Sequence, residues 1–384
     1  MTAASLPRYG ALTFSYFAAI GLFNTYAPLW FQSLGFSTLV IGGIASLQAW
    51  TRVFAPYAWS WWGDHSGRQV ALIRLSAAAA LCASLLLLGA RGAAAVAAVT
   101  ALLFIANSGV VPLYEATLAH LLGTPGGGID PRRYGRVRVW GSVGFIVSVT
   151  AFGALLEWRG MAIFPGFVAV MDALLLAAAL RLPATRSEVV HEAPAPAVLM
   201  VLRRPAVAWF FASVFFTVLA HTSLYAFFSL FLDQLGYGKA AVGGLWAVSV
   251  AVEIVFFWTQ GRWFGWLSPH RWLKLVAAVT ALRFVATAVG GAFAPVLVLA
   301  QMTHAITFAA HHAACIALVN QYFPGRLRGR GQALYTTLGY GLSGVLGGIG
   351  GGWLISHHGF AAVFWAASAC ALLALACALR AARR

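Results

Sequence analysis

Polar residues in this chain are confined to short breaks between apolar runs, and most of those runs are too long for the helices or strands of a water-soluble core. A hydrocarbon layer about 30 Å thick takes about 20 helical residues to cross. That rule predicts twelve spanning helices, near 9–33, 38–62, 70–90, 93–122, 138–157, 161–181, 206–232, 239–262, 271–291, 293–321, 331–355 and 359–380.

The longest polar stretch, 182–205, is rich in Pro, Arg and Glu and has no apolar periodicity, so it reads as a linker. It divides the chain into a six-helix bundle over 1–181 and a second over 206–384. A faint internal repeat supports the division. Leu34-Gly35-Phe36 and Ile41-Gly42-Gly43 return 201 residues later as Leu235-Gly236-Tyr237 and Val242-Gly243-Gly244, at the same junction of each half. The same offset sets Arg52 against Glu253. Two halves related by duplication are the parallel-repeat plan of one class of secondary transporter.

Composition agrees: 61% of the 384 residues are hydrophobic and 9% charged, whereas a soluble surface needs roughly a quarter charged residues. The fold class expected is therefore an all-α integral membrane protein. A net charge of +16 raises the question of a nucleic-acid partner, but the basic residues follow the predicted loops instead. Arg68, Arg132, Arg133, Arg136, Arg203, Arg204, Arg262, Arg271, Arg326, Arg328 and Arg330 fall on one side of the predicted membrane, and only Arg91, Arg159 and Lys239 on the other. That asymmetry places both termini of an inner-membrane protein in the cytoplasm. The first run follows Arg8, contains Asn24 and Pro28 and lacks a small-residue cleavage site, so it reads as a retained helix rather than a signal peptide.

Cys82, Cys315, Cys370 and Cys377 lie inside apolar runs without ligand spacing and read as small buried hydrophobes. His304 with His312, or His357 with His358, lacks further ligands at usable spacing, so no metal is expected, and no phosphate-binding loop points to a nucleotide. A charge at mid-membrane costs several kcal/mol, which makes Arg52, Glu115, Asp172, Glu253, Arg283, His221, His304, His311 and His312 the informative residues. In the tenth span Gln301, His304, Phe308, His311 or His312, and Cys315 recur at three- and four-residue steps and share one polar face.

Asp64-His65-Ser66-Gly67-Arg68, between the second and third spans, resembles the D-x-x-G-R part of the cytoplasmic gating motif of the major facilitator superfamily, with Ser60 and Gln69 departing from the fuller form. Pro112-Leu113-Tyr114-Glu115 and Tyr134-Gly135-Arg136-Val137-Arg138-Val139-Trp140-Gly141-Ser142 resemble the lactose permease branch. That likeness implies a Glu115–Arg138 charge pair at the substrate site, and proton coupling through Glu253, Arg283 and His304. Over almost the whole chain the likeness is closer to bacterial 3-phenylpropionate permeases, through the Tyr134–Ser142 run, Glu253 and the Gln301, His304, His312 set. Thr307 stands where the lactose permease carries a second carboxylate, so its deprotonation step does not transfer unchanged.

If Glu115 neutralises Arg138 and Glu253 neutralises Arg283, Arg52 is an unpaired buried cation that favours an anionic substrate; the competing readings pair it with Asp172 or let it snorkel to water. Tyr16, Tyr26, Trp30, Tyr225, Phe227 and Phe228 offer aromatic walls. The expected substrate site thus holds Arg52, Glu115, Arg138, Tyr26, Asn24, His221, Tyr225 and Gln301; the proton site Glu253, Arg283, His304 and His312; the gate Asp64, Gly67 and Arg68. The expectation is a monomeric, cofactor-free symporter, driven by a proton gradient, that imports a small aromatic carboxylate. Its rivals are a sugar or nucleoside symporter, a drug-efflux antiporter and, from another class, a membrane-embedded enzyme or receptor, for which no catalytic motif is present.

Overall fold

The computed structural model describes residues 6–123, 130–183 and 199–382. Most of the predicted linker, 184–198, lies outside them. Among the described residues twelve helical spans follow one another: α1 Leu6–Ser33, α2 Thr38–Ser66, α3 Gln69–Gly89, α4 Gly92–Leu121, α5 Pro131–Arg159, α6 Met161–Leu180, α7 Pro205–Gln234, α8 Lys239–Arg262, α9 Pro269–Gly290, α10 Ala294–Tyr322, α11 Arg328–His358 and α12 Phe360–Ala381.

Ten of the twelve are long and apolar enough to cross a membrane. The other two, α1 and α2, have the length, at 28 and 29 residues, but dilute their apolar character with Asn24, Gln48, Arg52 and several Tyr and Trp residues. Boundaries fall close to those expected, with α5 starting earlier, at Pro131, where a proline suits the first helical turn. Interior discontinuities were not foreseen. One α-helix of α4 ends at Asn107 and the next begins at Val110, and α10 and α11 contain π-helical turns at Ala305–Ala310 and Tyr335–Leu342.

On α3 small residues make up much of the buried face, the arrangement expected where lipid replaces water and close packing drives association. In α3, Ser76, Ala77, Ala80, Ala83 and Ser84 are buried, while Leu75, Leu85, Leu86 and Leu88 are exposed.

The chain forms two compact units. One contains Met1–Gly35, Thr51–Glu192 and Lys239–Ala247; the other contains Phe36–Trp50, Ala193–Gly238 and Val248–Arg384. The partition therefore departs from chain order in two places, at the start of α2 and the start of α8, which are the positions related by the internal repeat. Gly35 and Gly236, the repeated glycines of the preceding turns, both take positive φ, +80° and +84°, which a side chain would disfavour. Gly42 packs so closely on α11 that an added Cβ would meet the Gly348 carbonyl, and Gly243 packs equally closely on the Val149 carbonyl of α5. Both repeat-related glycines therefore sit where a backbone carbonyl leaves no room for a side chain.

Candidate functional site

The buried polar network of the second unit centres on Arg283, a residue of α9 with 2% of its surface exposed. Its guanidinium donates to His304 Nδ1 at 3.0 Å, to Thr307 Oγ1 at 2.8 Å and to Gln301 Oε1. Gln301 Oε1 also accepts from Ser249 Oγ of α8 at 2.9 Å. All of these acceptors are neutral. The direct Glu253–Arg283 pair expected from sequence is replaced, among the described residues, by a relay through the imidazole: Glu253 lies 4.0 Å from His304 Nε2.

This geometry assigns the histidine tautomer. Arginine only donates, so Nδ1 of His304 must accept, and the ring proton of the neutral form sits on Nε2, facing the Glu253 carboxylate. Thr307, at the position where a carboxylate was missing from the motif, accepts from the cation without neutralising it.

An aromatic surface adjoins the cation. His304 stacks on Phe308 with centroids 5.0 Å apart and planes 2° from parallel, and Tyr225 meets Phe308 edge-on at 6.5 Å. Of the six aromatic walls expected, Tyr26, Trp30, Phe227 and Phe228 are buried in helix packing. Tyr26 spends its hydroxyl on the carbonyls of Val149 at 2.5 Å and Lys239 at 3.3 Å, so it anchors helices rather than offering a surface to substrate. Tyr225 is 37% exposed and Tyr16 is half-buried.

Two polar atoms in the network have no hydrogen-bond partner among the described residues. His221 donates from Nδ1 to the Thr217 carbonyl at 2.8 Å, which leaves its buried Nε2 as an acceptor without a donor. The buried amide nitrogen of Gln301 is a donor without an acceptor. Neither could be identified from the sequence, because both depend on which way a neighbouring group points.

Along α10 the expected polar face spans a π-helical turn at Ala305–Ala310, and the two histidines that follow it take different partners. His311 is buried against Cys315, with 3.3 Å between Nε2 and Sγ, whereas His312 turns to Tyr335 of α11 at 3.3 Å, and Tyr335 in turn meets Tyr340 at 3.1 Å. Wide turns of this kind recur at functional sites because they re-aim side chains without breaking the helix.

The first unit is arranged differently. Glu115 accepts from the Tyr134 hydroxyl at 3.0 Å, and Arg138 lies over the Phe17 ring at 4.4 Å. The Glu115–Arg138 contact implied by the family likeness is therefore absent among the described residues. Arg52 is exposed, not the buried cation expected, and Asp172 does not pair with it. Asn24 is half-buried and engaged with a neighbour. In the gating motif Gly67 takes φ +63° to end α2, and Asp64 and Arg68 are exposed on either side of it.

Twelve helical spans among the described residues, with a buried polar cluster inside one of two compact units, are the plan of a multi-pass secondary transporter. The family model for the MFS_1 like family matches residues 6–366, and the chain belongs to that family of major facilitator transporters. It is 26% identical to a maltose permease of Geobacillus stearothermophilus, over 98% of this chain and 93% of that one. It is 25% identical to a protein of Escherichia coli strain K12 named "probable 3-phenylpropionic acid transporter", over 94% of each chain. Among solved structures it resembles the nucleoside transporter NupG, with a TM-score of 0.81 at 17% identity over 98% of each chain. A bacterial homologue of the human lysosomal transporter Spinster gives a TM-score of 0.72 at 14% identity over 99% and 97% of the two chains. These likenesses fix the fold.

Proposed function

We propose that this transporter imports a small aromatic carboxylate of the 3-phenylpropionate type together with protons, as a monomer in a bacterial inner membrane with both termini cytoplasmic. The observation that carries the reading is the placement of His304 between a buried cation and an aromatic face, bonded to Arg283 on one side and stacked on Phe308 on the other. A carboxylate attached to a phenyl ring needs both features within one molecular length. The resemblance to the Escherichia coli relative supports the same substrate class, and the one-sided arginines support the orientation.

Coupling follows from the tautomer. An ionised Glu253 attracts the Nε2–H edge of His304 and so holds Nδ1 toward Arg283. A proton on Glu253 removes that attraction, loosens the imidazole and releases guanidinium donors to a carboxylate, with the spare amide of Gln301 beside them. Loading then favours the protonated, substrate-bound state, and an inward proton gradient drives uptake without nucleotide or metal.

A sugar reading has its own support in the maltose permease relative and in the neutral donors and acceptors around Gln301 and Ser249. Uptake of labelled 3-phenylpropionate, maltose and uridine into proteoliposomes, with and without an imposed proton gradient, separates the readings. Gradient-stimulated uptake of 3-phenylpropionate is expected, unaffected by excess maltose. Uptake of maltose or uridine alone overturns the substrate assignment, and extrusion against the gradient overturns the direction.

A further inference from the structure

The most deeply buried carboxylate in the first unit takes no part in the network described above. Asp172 sits on α6 with 1% of its surface exposed, on the stripe formed by Val168, Ala169, Leu175 and Ala179 that packs against α1 and α3. Small residues opposite, Ala77, Ala80 and Ala83 of α3, allow the helices close enough to seal it.

Neither carboxylate oxygen has a hydrogen-bond donor among the described residues. Its polar neighbours are Ser84 of α3 and Asn107 of α4. Ser84 donates its hydroxyl hydrogen to the Leu81 carbonyl at 2.8 Å, so it turns a lone pair toward the site. Asn107, 7% exposed and placed where the first helix of α4 ends, has a side-chain oxygen that is likewise without a partner. With the Ser84 hydrogen already committed and no donor within hydrogen-bond distance of either Asp172 oxygen, an ionised carboxylate here would cost several kcal/mol in hydrocarbon.

The charged and titratable groups on the elements packed around α6 do not relieve it. Arg74 of α3 is bonded to the carbonyls of Ala179, Leu180 and Leu182, about two turns further along α6, and Cys82 of α3 is exposed. On α1, Arg8 is exposed, Tyr9 has Thr117 of α4 as its polar neighbour, and Tyr26 is spent on Val149. Tyr16 lies within electrostatic range of Asp172, and it adds no positive charge.

We infer that Asp172 is a proton-binding site of the first unit, separate from the Glu253–His304 relay: its carboxyl carries a proton that it shares with Asn107 and Ser84. One proton turns an acceptor into a donor and gives the Asn107 oxygen or the Ser84 lone pair its missing partner. The site is independent of the substrate assignment above, because it rests on the packing of α3, α4 and α6 alone.

Infrared spectra of the protein in lipid nanodiscs at neutral pH test this. Wild type is expected to have a carboxylic-acid carbonyl band that moves in deuterium oxide, is lost in Asp172→Asn and is unchanged when sodium replaces potassium. Ser84→Ala and Asn107→Ala each remove an acceptor and are expected to move the band to higher frequency, which identifies it even if Asp172→Asn folds poorly. Absence of the band, or a carboxylate band that shifts with sodium, overturns the proton site. A band indifferent to both neighbouring substitutions overturns it equally.

Discussion

The two units each hold one of the repeat-related glycines, Gly42 and Gly243, but distribute their charge differently. In the second unit Arg283, Gln301, His304, Thr307 and Glu253 form a continuous chain of contacts at the heart of the helices. In the first, Arg52 is exposed, Arg138 rests on an aromatic ring and Glu115 is held by a tyrosine, so each charge is handled locally. Repeat-related positions thus diverge: Arg52 is an exposed cation, and Glu253 joins a buried relay. The repeat-related positions that match, Gly42 and Gly243, are those where a carbonyl leaves no room for a side chain, and those that differ carry side-chain chemistry. The second unit thus buries a connected network, while in the first Arg52 is exposed, Glu115 and Arg138 are half-buried and Asp172 is sealed apart from them.

The sharpest way to break this contrast is Arg283→Gln. Removing the shared donor strands acceptors on His304 and Thr307 at roughly 1–3 kcal/mol each, so initial uptake should fall by about 100-fold, measured in proteoliposomes normalised for inserted protein. Glu253→Gln mimics the protonated relay and should remove roughly tenfold of the gradient-stimulated rate while leaving substrate exchange at equal pH largely intact; equal loss of both would assign Glu253 to structure.

The shared backbone offers a smaller, symmetrical test. Gly42→Ala and Gly243→Ala each push a methyl into a carbonyl on a neighbouring helix, an overpacking cost of about 1–3 kcal/mol. Thermal midpoints in detergent should drop comparably for the two variants, and a drop at only one position would mean that the crossings are not equivalent. The smallest effect is expected from Arg52→Gln, within about 0.5 kcal/mol in stability because the side chain is exposed, and less than about twofold in uptake. A complete loss of carboxylate transport in that variant would restore Arg52 as the substrate's counter-ion.

Much of the architecture was legible before any coordinates. The length of each apolar run is set by the thickness of the hydrocarbon layer, and the twelve spans follow from that single constraint. The repeat at Gly42 and Gly243 was visible because a steric requirement on the backbone leaves a residue that nothing else can replace. The rarity of ionisable groups in hydrocarbon likewise singled out Arg283, His304, Glu253 and Asp172 by type and position alone.

Tertiary structure decided which of those groups meet. Sequence placed Glu253 against Arg283 and Glu115 against Arg138, but opposite charges on neighbouring helices form pairs only if packing aims them at each other, and here an imidazole and a tyrosine hydroxyl intervene. Burial of Arg52 was inferred from its depth along α2, whereas exposure depends on which face of the helix its neighbours cover. His311 and His312 are consecutive and so point about 100° apart on α10, and packing alone decides that one meets Cys315 and the other Tyr335. Helices, repeats and rare charges are properties of the chain read along its length. Partners, tautomers and unmatched hydrogen bonds are properties of directions in space, and those were fixed only when the helices packed.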